Sequence, residues 1–219
     1  MFPFPFSFLG AATDVPLELI DNNFAMEFDG QSYVSAGNPT QLQMTGDISV
    51  SAWFKTSTNG GALTIVGRGA HYSGGASSWA LFRRSANGIA AQLRTSAGYP
   101  TAMVNGSYFD GIYHHVAFTR EVSSGNLKLY IDGALANTVT GITNDIMNQT
   151  QNTYIGADTV PDKHFIGDID EVAIWNKALA LEDVQTIYNA TNDNPGKCAN
   201  LFTGGLKDGL QYWNRMGDN

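Results

Sequence analysis

Short runs of alternating apolar and polar residues recur along this chain, separated by clusters of glycine, asparagine, aspartate and serine. Residues 48–54, 63–66 and 79–82 alternate cleanly, which predicts strands with two unlike faces. Residues 24–28 form a shorter strand closed by the turn pair Asp29-Gly30, and 31–36 return until Gly37-Asn38-Pro39 breaks them. Residues 88–94 are expected to pair with the strand before them. Residues 112–120 and 127–132 read as a hairpin around 123–126, and Asp132-Gly133 leads into 134–140. With 153–155 these make about a dozen short strands at regular spacing, the pattern of a sandwich or jelly roll.

The longest alternating run is 165–175, Phe-Ile-Gly-Asp-Ile-Asp-Glu-Val-Ala-Ile-Trp. Strict alternation places Ile169, Glu171, Ala173 and Trp175 on one face and Asp168, Asp170, Val172 and Ile174 on the other. Such a strand starts at a polar rim and ends in a packed core. One helix follows. Leu181, Val184, Ile187 and Tyr188 give its apolar stripe, and Glu182 and Asp183 suit the dipole of its first turn. It is expected over an edge of the sandwich.

The two ends differ from this middle. Phe2, Phe4, Phe6 and Phe8 alternate with Pro3, Pro5 and Ser7 in an apolar arm. Its prolines and its lack of basic residues do not suit a signal peptide, and such an arm needs a surface to pack on. Residues 11–23 read as a linker and 191–208 as loop. The run 209–218 is strand-like and aromatic, with Tyr212 and Trp213, and has no partner after it in the sequence. The expected organisation is an arm and linker (1–23), one β-domain (24–190) and a C-terminal extension with a strand-like tail (191–219).

Composition narrows the function. A formal charge of −8 over 219 residues speaks against nucleic acid as a partner. No apolar run is long enough to insert in a bilayer. One cysteine, Cys198, rules out an intrachain disulfide, so stability must come from the core or from something bound.

Five segments, in order, resemble the laminin G-like, concanavalin A-like jelly-roll family. They are FAMEFDGQSYV (24–34), ISVSAWFK (48–55), YHHVAFTR (113–120), GNLKLYIDGAL (125–135) and FIGDIDEVAIWNKALALEDVQTIYN (165–189). Tyr113 stands where the family usually has tryptophan, and Ala180 where a serine usually caps the last helix; the missing cap costs about 1 kcal/mol. The resemblance implies an all-β fold, a two-sheet antiparallel jelly-roll sandwich (concanavalin A-like) with one short C-terminal helix. Members are generally binding or structural modules of adhesins, extracellular enzymes and phage particles.

The resemblance also implies a structural calcium at the sandwich rim, held by the Asp29 and Asp170 carboxylates and the Gly30 carbonyl, with Asp168 as an addition. Calcium takes six to eight oxygens, roughly two or three of them from carboxylates. On the residues alone, Asp29 could equally make a turn, and Asp168 and Asp170 could be solvated or bonded to backbone amides. Some relatives of this family hydrolyse glycosides with paired carboxylates on one strand. Here the run Asp168-Ile-Asp170-Glu-Val-Ala supplies no second acid past Glu171, and alternation turns Glu171 away from Asp170, so no catalytic residue is expected. His114 and His115, being adjacent on a strand, cannot chelate one ion, and one is expected to be buried and the other at the surface. Loop aromatics that could meet a glycan are His71, Tyr72, Tyr99, Tyr108 and Phe109; Trp53, Trp79 and Trp175 lie within strands and read as core. Three N-x-S/T triplets, at Asn105, Asn148 and Asn189, carry no weight without a secretory context.

Two function classes follow. The first is a virion surface protein of a phage, docking through the arm and the tail (Phe2, Phe4, Phe6, Phe8, Tyr212, Trp213) to other virion proteins or to copies of itself. The second is a calcium-dependent carbohydrate-binding or adhesion module of a bacterial surface protein, at the cell exterior and in contact with cell-surface glycan.

Overall fold

A computed structural model describes residues 17–58, 63–69, 77–85, 87–147, 150–158 and 163–218. In chain order the strands begin with β1 (Leu19–Asp21), β2 (Met26–Asp29), β3 (Val34–Gly37), β4 (Ile48–Lys55) and β5 (Leu63–Gly69). They continue with β6 (Ser77–Ser85), β7 (Gly88–Leu93), β8 (Thr101–Asn105), β9 (Tyr113–Glu121) and β10 (Asn126–Ile131). β11 (Ala134–Val139), β12 (Thr153–Ile155) and β13 (Ile166–Trp175) precede helix α1 (Leu181–Asn192), and β14 (Lys197–Ala199) and β15 (Leu210–Asn214) follow it.

Two antiparallel sheets face each other. One runs β11-β10-β9-β4-β13-β15, with β2 beside the first half of β13; the other runs β3-β12-β5-β6-β7-β8. The core between them takes every second residue: Val50, Ala52 and Phe54 of β4, Val116 and Phe118 of β9, and Trp79 and Leu81 of β6 are all buried there. Trp79 meets Phe118 at 6.1 Å between ring centroids. The Asp132-Gly133 turn has φ of +49° and +74°, as a two-residue hairpin requires. The Asp132 carboxylate then accepts a hydrogen bond from the His115 amide at 2.9 Å. The two-sheet sandwich with one short helix is the architecture expected.

A second cluster lies on the outer face of the larger sheet. Ala117, Tyr130, Ala173 and Trp175 pack there against Val184, Ile187 and Ala190 of α1 and against Leu201 and Leu206. The helix therefore covers a face, not an edge as its stripe alone suggests. Trp175 explains this: its ring is fully buried beneath the helix, and its Nε1 donates to the Leu206 carbonyl at 2.7 Å. Ala180 offers no side-chain cap, but the Asp183 carboxylate accepts from the Ala180 amide at 3.1 Å, half of a capping box.

Both presumed extensions join this packing. β15 pairs antiparallel with β13, with Ala173 opposite Trp213 and Ile174 opposite Tyr212. The expectation of an unpaired docking strand at 209–218 is corrected: β13 is longer than β2, and β15 fills the edge beyond it. β1, within the expected linker, pairs with β14.

Candidate functional site

Strand β13 does not keep strict alternation. Asp170 lies opposite Trp53 and Ala173 opposite Ser51, so three steps on β13 match two on β4. The extra residue is Glu171, whose φ of +50° is left-handed and uncommon for a residue with a side chain. This bulge resets the parity. Ile169, Val172 and Ile174 all enter the inter-sheet core, while Ala173 and Trp175 face the helix. Asp170 and Glu171 consequently share the outer face, contrary to the alternation expected.

The two acids have different surroundings. Glu171 is buried; Trp213 Nε1 donates to its Oε2 at 2.6 Å and Arg215 Nε to its Oε1 at 3.3 Å. Burial raises its pKa, while Trp213, Cys198 and Arg215 oppose the rise. Cys198, in the same pocket, is pushed up to about 12, first by burial and then by Glu171; such a thiol is inert. Asp170 accepts from Asn22 Nδ2 at 3.0 Å and from the Glu171 amide at 2.8 Å. Burial first, and then the Glu171 charge, pushes its pKa up to about 7.

Asp170 borders a hollow of about 240 Å³ on this outer face. Trp53 and Tyr113 line it from β4 and β9, and Asn22, Asn23 and Phe24 from the segment between β1 and β2. Trp53 reaches the outer face because β4 alternates. Its ring stacks on Tyr188 of α1 at 5.7 Å with a 16° tilt, and meets His115 at 5.3 Å. Tyr113 and Phe24 keep 41% and 63% of their surface exposed, with Lys55 Nζ 4.9 Å from the centroid of the Tyr113 ring. Asp218 accepts from the amides of Asn23 and Phe24 at 2.9 and 3.0 Å, which pins the segment that carries them.

The residues expected to hold calcium do not converge. Asp29 pairs with Ile166, so it sits four residues, about 13 Å, along β13 from Asp170. Its Oδ1 accepts from the Gln31 and Ser32 amides at 2.9 and 2.8 Å, and these turn contacts hold its pKa down to about 2. Gly30, with φ of +85°, completes that turn. Asp168 is taken by Lys55 Nζ at 2.6 Å and by the Tyr113 hydroxyl at 3.1 Å. The expected donor set is thus divided between the Asp29 turn and the Asp168–Asp170 stretch of β13 and does not gather around one ion. Among the described residues no group of three or more His, Cys, Asp or Glu is placed to hold a metal.

Other expectations divide. His71, Tyr72, Phe2, Phe4, Phe6 and Phe8 lie outside the described residues. Tyr99 is exposed, with the Arg94 guanidinium 5.1 Å from its ring. Phe109 is a core residue, 6.4 Å from Phe54, and Tyr108 packs edge-on to His114 at 5.5 Å, so neither is a loop platform. The aromatic pattern of 108–109 reads as a loop because the chain dips inward between strands there. Tyr212 packs on the inter-sheet core and Trp213 on the outer cluster, as their pairing with β13 demands. Neither is a docking residue of an unpaired strand. His114 and His115 are both buried, on opposite faces: His114 bonds Asp132 at 2.8 Å, and His115 bonds Ser51 at 2.8 Å. Burial drives the His115 pKa down to about 3. Of the hollow's own residues, Phe24 and Tyr113 open two of the family-like segments without being marked there as a site, and Asn22 and Asn23 carry no motif; the Asp168–Asp170 rim is the sequence signal nearest to them.

A model of the laminin G type, from the concanavalin A-like lectin/glucanases superfamily, matches residues 28–185. The chain belongs to this superfamily. The individual sequence and structural similarities are distant. The sushi, von Willebrand factor type A, EGF and pentraxin domain-containing protein 1 of Rattus norvegicus is 29% identical over 90 residues, 37% of this chain and 2% of that protein. The carbohydrate-binding module CBM40 of the Ruminococcus gnavus IT-sialidase, bound to α2,3 sialyllactose, superposes with a TM-score of 0.63 at 14% identity. That match covers 78% of this chain and 98% of the module. The botulinum neurotoxin serotype D binding domain gives a TM-score of 0.58 at 19% identity, covering 78% and 46%. The superfamily description names lectins and glucanases, the solved structures share the sandwich fold, and nothing in these comparisons supports the virion assignment.

Proposed function

We propose that this protein is a carbohydrate-binding module and that the hollow beside Asp170 seats a sugar. The observation that carries it is the hollow's composition. The Trp53, Tyr113 and Phe24 rings surround a hydrogen-bonded Asp170–Asn22 pair in one concavity. Sugars present apolar C–H faces and rings of hydroxyls, and sites that take them combine aromatic surfaces with a few fixed polar groups. Asp170 and Asn22 hold each other in place before any ligand arrives, which lowers the entropy lost on binding. The superfamily description and the carbohydrate-binding module among the similar structures support this reading.

Binding rather than hydrolysis is the activity proposed. Glycoside cleavage needs two carboxyl groups facing one bond across about 5–9.5 Å. Asp170 is in place, but both Glu171 oxygens are occupied by Trp213 and Arg215, and the side chain is buried.

The test is a glycan array followed by titration calorimetry on the best binder, with Phe24→Ala and Tyr113→Ala. Each variant removes an exposed ring and is expected to weaken binding about threefold to tenfold with little loss of stability. Binding that survives both substitutions unchanged would move the site elsewhere.

A further inference from the structure

A second hollow, of about 690 Å³, adjoins the first, and Asn23 lines both. The stretch 19–25 lines both, with Asn22, Phe24 and Ala25 in the first and Leu19, Ile20 and Asp21 in the second. Phe202 and Trp213 supply its aromatic surface. Phe202 is 67% exposed and meets Trp213 edge to face at 5.0 Å. Asn200, Lys197 and Arg215 add polar lining. Taken alone, the first hollow is smaller than the roughly 300–1,000 Å³ of ordinary ligand pockets. A ligand that extends past it by way of Asn23 enters the second hollow, whose exposed aromatic is Phe202.

The charges in the second hollow are already paired. Lys197 Nζ lies 2.5 Å from Asp21, and Arg215 Nε 3.3 Å from Glu171. Asp218 is bound by the Asn23 and Phe24 amides, and beside the Tyr113 ring of the first hollow Lys55 is held by Asp168. An acidic sugar would therefore meet cations already committed to carboxylates, on a chain of net charge −8.

From this geometry we infer that the two hollows form one extended site for neutral oligosaccharides of three or more units, the second being a subsite built on Phe202 and Trp213. The inference rests on the carbohydrate-binding reading and adds to it a ligand class and a length.

The experiment titrates the intact protein with neutral gluco-, galacto- and manno-oligosaccharides of one to four units, and compares lactose with 3′-sialyllactose. In the neutral series that binds, affinity is expected to climb steeply up to three or four units. Phe202→Ala should lower tetrasaccharide affinity about fivefold to tenfold while leaving the disaccharide within about twofold. Phe202 is exposed and sits in a turn, so the variant keeps its fold. Tyr113→Ala, in the first hollow, should weaken every length alike. Equal loss at all lengths, or none, for Phe202→Ala would overturn the extended site while leaving the first hollow intact. Preference for 3′-sialyllactose over lactose would overturn the neutral ligand class. No binding of any sugar in the set, neutral or acidic, or indifference to Tyr113→Ala, would remove the underlying reading as well.

Discussion

Asp170 combines an uncomfortable position with a defined set of partners. Its ionised form is disfavoured by burial and by Glu171, which moves its pKa from an ordinary 3.8 to about 7. A carboxyl whose folded pKa is raised stabilises the fold fully below its unfolded pKa. That contribution is lost as pH rises through the folded value. The window therefore runs from about pH 4 to about pH 7, and the shift corresponds to roughly 4 kcal/mol. Asp170→Asn removes the charge, and Asn22 can turn its amide to offer Oδ1 to the new side chain, while the Glu171 amide keeps an acceptor. Measured by urea melts, the variant is expected to gain on the wild type by about 2–4 kcal/mol between pH 4 and pH 8. Parallel stability curves would show that Asp170 does not carry the burial cost. The two acids of the 168–170 rim are visible in the sequence. Their separation into an ion-paired Asp168 and a buried Asp170 is not, because it depends on Lys55 and Asn22, far away in the chain.

Among the elements, most strands are legible because apolar residues on one face leave an unmistakable period of two. The bulge at Glu171 is not, since one extra residue leaves the same composition and changes only which face each later residue meets. The consequence is large: it places the acid pair on one face and lets Trp175 meet the helix. α1 itself is legible as a stripe, yet its position over the sheet's face depends on Trp175 and Tyr130 being turned outward. Its start is unfinished. Ala180 has the extended conformation of a cap residue (φ −71°, ψ 165°) but no oxygen to offer the first turn. Ala180→Ser, already matched by Asp183 three residues on, is expected to stabilise the protein by about 1 kcal/mol. A rise in the urea midpoint with an unchanged slope would be the sign of it; no shift would mean the first turn is already satisfied.

At the scale of the whole molecule the C-terminal segment decides between two pictures. If residues 209–219 were a tail made for a neighbour, removing them would leave the domain as stable as before. The structure instead builds them into β13's edge, where Leu210 to Asn214 pair with Val172 to Trp175. It also gives Glu171 its Trp213 and Arg215 donors from that segment, and the Asn23–Phe24 ridge its Asp218 anchor. That role could not be read from the sequence, because the strand's partner lies before it, beyond the helix, and no local turn joins them. A chain ending at Asp208 takes Trp213 and Arg215 from Glu171, and breaking a buried pair costs about 3–5 kcal/mol. It also leaves an unpaired edge on β13. Such a chain is expected to melt well below the intact protein and to self-associate through that edge. Light scattering and thermal melts on the truncated protein measure both effects. Because the same segment anchors the ridge between the two hollows, any sugar affinity should fall with it, whereas a stable monomeric truncation that still binds would return the segment to the role of a detachable tail.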